Sequence, residues 1–255
     1  MKKNPYFIEG PALISFSGGR TSGYMLKHII DAHGGTLPDD VYIVFADTGL
    51  EHGSTYKFVK DCADKWDQPI WTVALDRGNH ATPFDALISR KKYLPNPVAR
   101  FCTGDMKVKM LAGFMRERGH DSFLNVVGIR ADERKRVAKM RGRTNDGWDN
   151  CIPLADANVS EQDVLSWWRV QPFDLGIPPG YGNCVGCFLK SAAQLVSIEQ
   201  AMPGSLAWWA EKEKEIGGTF RSDRPSYAKL IEFSSKQQAF DFGTLEPSLP
   251  CSCTD

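Results

Sequence analysis

Between Ile14 and Gly23 an apolar run breaks abruptly into a small, polar turn, Ser15-Phe16-Ser17-Gly18-Gly19-Arg20-Thr21-Ser22. No other stretch restricts the fold as strongly. Leu13–Phe16 has the character of a buried strand, and Met25, Leu26, Ile29 and Ile30 recur at helical spacing. A strand that enters a helix through adjacent glycines lets backbone N–H groups approach an anion with no Cβ in the way. Ser17, Thr21 and Ser22 add hydroxyl donors, and a helix N-terminus adds unpaired N–H groups with a partial positive charge. The spacing differs from the Walker A loop, which ends Gly-Lys-Ser/Thr after a longer spacer. A capped strand-to-helix turn with no ligand would use the same residue types.

Downstream, strand and helix patterns alternate. Val41–Phe45 and Ile70–Leu75 read as strands, Thr55–Trp66 as a helix, Phe84–Arg90 as a short helix, Lys107–Arg118 as a helix and Phe123–Val127 as another strand. Alternation of this kind implies right-handed parallel crossovers, hence a Rossmann-like α/β fold with a mainly parallel sheet and helices on both faces. Ligands in such sheets sit beyond the carboxyl ends of the strands. The glycine turn, Asp47-Thr48-Gly49 and Gly128-Ile129-Arg130 all fall at such ends. Arg134–Trp148 reads as a polar, basic loop, either solvated or an anion-facing lid. After about residue 150 the alternation fades and prolines and glycines gather. The expected organisation is a nucleotide-binding core over 1–150 and an irregular, cysteine-containing C-terminal portion over 151–255.

Ser17-Gly18-Gly19-Arg20-Thr21-Ser22 resembles the pyrophosphate loop (PP-loop) of the adenine nucleotide α-hydrolase superfamily. Further stretches follow in order: Val44–Gly49 with Glu51, Thr55 and Tyr56; Arg100-Phe101-Cys102-Thr103 with Lys107; and Val127–Glu133 with Arg134 and Arg136. Together they resemble the phosphoadenosine phosphosulfate (PAPS) reductase-like branch over roughly residues 10–190. The resemblance implies an adenine nucleotide, ATP or a sulfonucleotide, as ligand. With ATP, it implies adenylation of a substrate with release of pyrophosphate, followed by displacement of AMP, sulfur transfer being the favoured outcome. Reductases of sulfonucleotides carry a catalytic Cys in a Glu-Cys-Gly-(Ile/Leu)-His segment, which this sequence lacks; reduction is therefore the alternative. A non-catalytic nucleotide-binding module is a third reading.

In the proposed chemistry the amides of Gly18, Gly19, Thr21 and Ser22 cradle phosphates, assisted by the Ser17 and Ser22 hydroxyls. Arg20 stands where sulfate-activating relatives often have Lys. Asp47, with Thr48 beside it at the end of a strand, suits one carboxylate contact to Mg²⁺ or a plain turn role. Arg130, Arg134 and Arg136, on the chain leaving Gly128, suit bidentate phosphate contacts, and Lys107 offers a further cation. Arg20, Asp47, Lys107 and Arg130 are the candidate catalytic residues.

Seven cysteines with no secretory signal argue against a disulfide framework. Cys184-Val185-Gly186-Cys187 lies in a glycine turn and Cys251-Ser252-Cys253 at the tail. Two such pairs are the usual supply for Zn²⁺ or an iron–sulfur cluster. Cys102 is an alternative ligand replacing a tail residue, a sulfur carrier or a packing residue. The resemblance favours a 4Fe-4S cluster over Zn²⁺. Trp167-Trp168 follows a Ser160/Asp163 capping box and is expected to pack on the core. Acidic and basic side chains balance at 31 each, so no global field draws the chain to nucleic acid or membrane. The expectation is a cytoplasmic protein, as monomer or homo-oligomer, whose sulfur acceptor is tRNA, DNA or a small molecule.

Overall fold

The computed structural model of the chain describes residues 4–143, 147–178 and 181–236. Five parallel strands form one sheet in the order β3-β2-β1-β4-β5: β1 (Ala12–Ser15), β2 (Val41–Asp47), β3 (Ile70–Ala74), β4 (Phe123–Val127) and β5 (Trp148–Cys151). β1 is central, with Ala12–Ser15 in register against Val41–Val44 on one side and Leu124–Val127 on the other. All four of its residues are buried, which is why it reads as a continuous apolar run rather than an alternating one.

Helices α1 (Arg20–Ala32) and α2 (Gly53–Trp66) lie on one face of the sheet. There Ile14, Met25, Ile29, Phe45, Phe58 and Val126 share a core. The chain then passes through α3 (Pro83–Lys91) and α4 (Phe101–Thr103), followed by a π-helical segment, Gly104–Val108, and α5 (Lys109–Glu117). α5 covers the opposite face, where Leu13, Val44 and Phe123 meet Ala112, Phe114 and Met115.

Arg134–Trp148, read as a loop from sequence, instead contains α6 (Arg134–Arg141) and the first residue of β5. Val137 and Met140 are the only large apolar residues of α6, so periodicity carries little signal there. The helix is nevertheless held, because Met140 is buried with Val127, Ile129 and Ile152. β5 reads Trp-Asp-Asn-Cys, a polar edge strand recognisable only by its pairing with β4.

The later chain is also more regular than its prolines and glycines suggested. It forms α7 (Pro153–Asp156), α8 (Glu161–Trp168), α9 (Ala192–Ala201), α10 (Ala207–Ile216) and α11 (Tyr227–Lys236). α8 begins at the predicted capping box, with Ser160 Oγ and the Asp163 carboxylate each accepting from the other's backbone N–H. It packs on α1 and buries Trp168 among Phe58, Trp66 and Phe173. A second core joins α3 to α9, α10 and α11 through Phe84, Leu87, Leu195, Trp209, Phe220 and Tyr227. Buried carboxylates tie its loops: Glu199 accepts from the N–H groups of Gly204 and Leu206, and Glu213 from those of Phe220 and Tyr227.

Trp168 also donates its indole N–H to the Arg20 carbonyl at 2.8 Å. Trp168→Ala therefore removes both core volume and a hold on the start of α1. A loss of about 3–5 kcal/mol is expected, measured as a lowered urea midpoint.

Candidate nucleotide and cysteine site

Ser17–Ser22 sits at the carboxyl end of β1, beside the point where the strand order switches sides between β1 and β4. Its carbonyls are secured from behind. Ser17 O accepts from Asn183 Nδ2 at 2.6 Å, Gly19 O from Ser22 Oγ at 3.0 Å and from the Gly23 amide, and Arg20 O from Trp168. Ser17 N–H is taken by Ser22 Oγ at 3.2 Å. Among the described residues no acceptor takes up the N–H groups of Gly18, Gly19, Thr21 or Ser22. The turn therefore presents donors and hides acceptors, the requirement for an anion nest at a helix N-terminus.

Glycine is required here for two physical reasons. Gly18 has φ +70°, and a Cβ there would stand 2.7 Å from the Thr55 methyl. A Cβ on Gly128, after β4, would lie 3.3 Å from Ser22 Cα, so that glycine lets the end of β4 press against the start of α1.

The cations are distributed unevenly. Arg20 points away into a brace: Nε and one terminal nitrogen bond both oxygens of Asp174 at 2.7 and 2.6 Å, and the other terminal nitrogen bonds Ile177 O at 2.9 Å. That pairing draws the Asp174 carboxyl below its ordinary range. Arg130 stays beside the loop, reaching Thr21 Oγ1 at 3.3 Å while its Nε meets Asp132 at 3.0 Å. Arg134 is exposed at the start of α6, and Arg136 pairs with Glu133.

After β2, Asp47 Oδ1 accepts from the Gly49 amide at 2.7 Å and the Tyr56 hydroxyl at 2.8 Å. Burial and the Asp47 carboxylate hold that phenol above its usual range. Thr48 gives its N–H and hydroxyl to Glu51. Glu51 is buried, which raises its pKa, with Lys107 and Thr48 acting in the opposite sense.

Glu51 links this region to the cysteines. It forms a β-bridge with Cys184, flanked by His52 N–H to Asn183 O at 2.7 Å and Val185 N–H to Leu50 O at 3.3 Å. The Cys184–Cys187 turn is backed by the second core: Tyr227 Oη donates to Gly186 O at 2.5 Å, and a Cβ on Gly186 would fall 2.0 Å from Trp209 Nε1. Cys102, Cys184 and Cys187 line one cavity of ≈ 440 Å³, counting its open mouth, together with Glu51, Arg100 and Lys107. Lys107 also lines a second cavity of ≈ 630 Å³ that begins at Ser15 and Ser17 and runs between α5 and α6.

Among the described residues no three His, Cys, Asp or Glu side chains converge closely enough to enclose a single metal ion. Cys251 and Cys253 lie outside the described residues. Cys62 is buried in the first core, and Cys151 is pushed up to about 11 by burial and Asp156.

The conserved pattern of the phosphoadenosine phosphosulfate reductase domain matches residues 11–174, from the strand before the loop to the residue that braces Arg20. The chain belongs to that family. The nin region protein ORF290 of Escherichia phage lambda, itself uncharacterised, is 33% identical over 206 residues, 72% of this chain and 67% of the phage protein. Two uncharacterised Methanocaldococcus jannaschii proteins, MJ0066 and MJ0973, are 33% and 24% identical over 76% and 80% of this chain. This family member spans only 39% and 47% of their lengths. Among solved structures, the U34-tRNA thiolase NcsA from Methanococcus maripaludis with its 4Fe-4S cluster aligns over 94% of this chain and 80% of its own. The TM-score is 0.44 at 15% identity.

Asp174 and Asn183 had no site role in the sequence reading. They act on residues more than 150 positions away, so no local pattern marks them.

Gly18→Ala imposes left-handed backbone on a residue with a side chain and drives a methyl toward Thr55. Titration with ATP or inorganic tripolyphosphate should show at least about tenfold weaker binding, with unchanged affinity for both removing the loop from the site.

Proposed function

We propose that this family member is an ATP-dependent PP-loop enzyme that adenylates an acceptor, releases pyrophosphate and passes the activated acceptor to sulfur. The reading is carried by Lys107, which lines both the cavity opening at the phosphate loop and the one lined by three cysteines. A nucleotide held at the loop would share Lys107 with the cavity that the thiols line.

In the first step an acceptor oxygen forms a bond to the α-phosphorus, and the bond from that phosphorus to the β-phosphate oxygen breaks. Pyrophosphate leaves with the electron pair. The free amides of Gly18, Gly19, Thr21 and Ser22 bind the departing phosphates, while Lys107 and Arg130 offset charge growing on them. Asp47, with Thr48 next to it, would be the carboxylate that holds Mg²⁺, an ion that takes one or two such ligands alongside phosphate and water. In the second step a sulfide-class nucleophile bonds to the activated carbon, and the carbon–oxygen bond to AMP breaks. Positioning and charge neutralisation supply most of the rate in such transfers.

Cys184, Cys187 and Cys102 line one cavity without converging closely enough to enclose a single ion, which suits an iron–sulfur cluster better than Zn²⁺. Tetrahedral Zn–S bonds of about 2.3 Å would require thiolates roughly 3.8 Å apart, whereas a cubane holds its ligands further apart. A cluster there would supply a redox- and sulfur-active centre at the edge of the nucleotide site. Arg100 and Lys107 suit its net negative charge. Cys251 and Cys253 remain the proposed alternative partners of the first pair.

The family match supports a second reading, thiol-dependent reduction of a sulfonucleotide to sulfite. Protein prepared anaerobically and given ATP and sulfide with tRNA, DNA or a small-molecule pool should release pyrophosphate and AMP. Sulfite from PAPS or adenosine phosphosulfate, with no pyrophosphate from ATP, would establish the second reading instead. Cys102→Ser, Cys184→Ser and Cys187→Ser should each lower bound iron and acid-labile sulfide severalfold. Full iron content in any one of them strikes that residue from the ligand set.

A further inference from the structure

Helix α9 follows the cysteine turn, and the residue before its Ser191 cap is Lys190. Lys190 is only 4% exposed. Lysine is rarely buried so completely, and a charge withdrawn from water is unfavourable unless an opposite charge meets it. Here the ammonium donates to the Cys184 carbonyl and lies under Gly182, where a Cβ would stand 3.6 Å from Nζ. Its other N–H groups meet no acceptor among the described residues, and no carboxylate among them pairs with it.

The buried carboxylates of this half of the protein are engaged elsewhere. Glu199 and Glu213 accept from backbone amides. Glu51 takes the Thr48 hydroxyl, and the cation that acts on it is Lys107. Lys190 is also fixed in place. Its N–H donates to Cys187 O at 3.0 Å, and Arg224 donates to its carbonyl at 2.6 Å and to the Tyr227 hydroxyl at 2.9 Å. Cys184, Gly186 and Cys187 thus each have the carbonyl occupied, two by Lys190 and one by Tyr227. The turn is held by its backbone, while Cys184 and Cys187 line the ≈ 440 Å³ cavity.

We propose that Lys190 is the fixed counter-charge of an anionic sulfur centre on Cys184 and Cys187, and that it raises the reduction potential of that centre. It acts through the cysteine turn, as a positioning residue. The proposal rests on the cluster reading above and adds the residue that balances the charge. An electron added to a centre that is already negative is favoured by a cation fixed nearby in a medium of low dielectric.

Full-length protein is reconstituted anaerobically with iron and sulfide and titrated with dithionite as wild type, Lys190→Gln, Lys190→Met and Lys190→Arg. Glutamine keeps a donor for the Cys184 carbonyl and loses the charge, which separates the two roles. The Gln and Met variants are expected to lower the reduction equilibrium constant at least tenfold, a fall of about 59 mV for a one-electron couple. The Arg variant should stay near wild type. Loss of iron from the folded Gln and Met variants, with the Arg variant loaded, supports the proposal equally. In cluster-free protein the charge has no partner, so the urea midpoint of Lys190→Met should equal or exceed that of wild type. A wild-type potential in the Gln variant overturns the proposal, as does failure of both uncharged variants to fold without the cluster. Wild-type protein that takes up neither iron nor sulfide overturns the cluster reading and this inference with it.

Discussion

A phosphate-binding turn must keep several backbone N–H groups unpaired, and unpaired backbone is unfavourable unless the rest of the segment is pinned. The Ser17–Ser22 turn, proposed for that task, is pinned by its carbonyls. Asn183, Ser22 and Trp168 each take one, and Arg20 is locked to Asp174 and Ile177. The amides of Gly18, Gly19, Thr21 and Ser22 are then left to face whatever enters. Every brace except Ser22 comes from residues 168–183, so the stretch with the weakest secondary-structure signal shapes the strongest motif.

The same stretch carries the chain into the cysteine turn. Asn183 holds Ser17 with its side chain and His52 with its carbonyl, and its neighbour Cys184 bridges Glu51. The Ser17–Ser22 turn, the Asp47–Glu51 segment and the cysteine turn form one hydrogen-bonded unit. The second core fixes that unit from outside through Trp209 and Tyr227 against Gly186. The helices after residue 190 are thus far from the phosphate loop in sequence and yet set the position of the thiols.

Arg20 illustrates how a motif position can be filled and used differently. The resemblance suggested a cation aimed at phosphate, whereas the side chain is turned to a carboxylate and a carbonyl, with all three of its nitrogens engaged. Lys107 was one cation among several in the sequence. Its place at the wall of both cavities follows from the π-helical segment Gly104–Val108, which alters the helical phase between Cys102 and α5.

Local chemistry in the sequence was enough to determine the strand–loop–helix opening, the parallel alternation through Val127, the α8 capping box and the burial of Trp168. Each depends on residues within one or two turns of one another, where periodicity and cap geometry act directly. α6 and β5 escaped because they are polar elements stabilised by one buried methionine and by pairing with β4. Only the folded chain decided that Cys102 lines one cavity with Cys184 and Cys187, that Asp174 and Asn183 brace the loop, and that Asn125 lies against Asn150. Those are contacts between segments distant in sequence, fixed by sheet register and by the packing of a second core, and no local spacing encodes them.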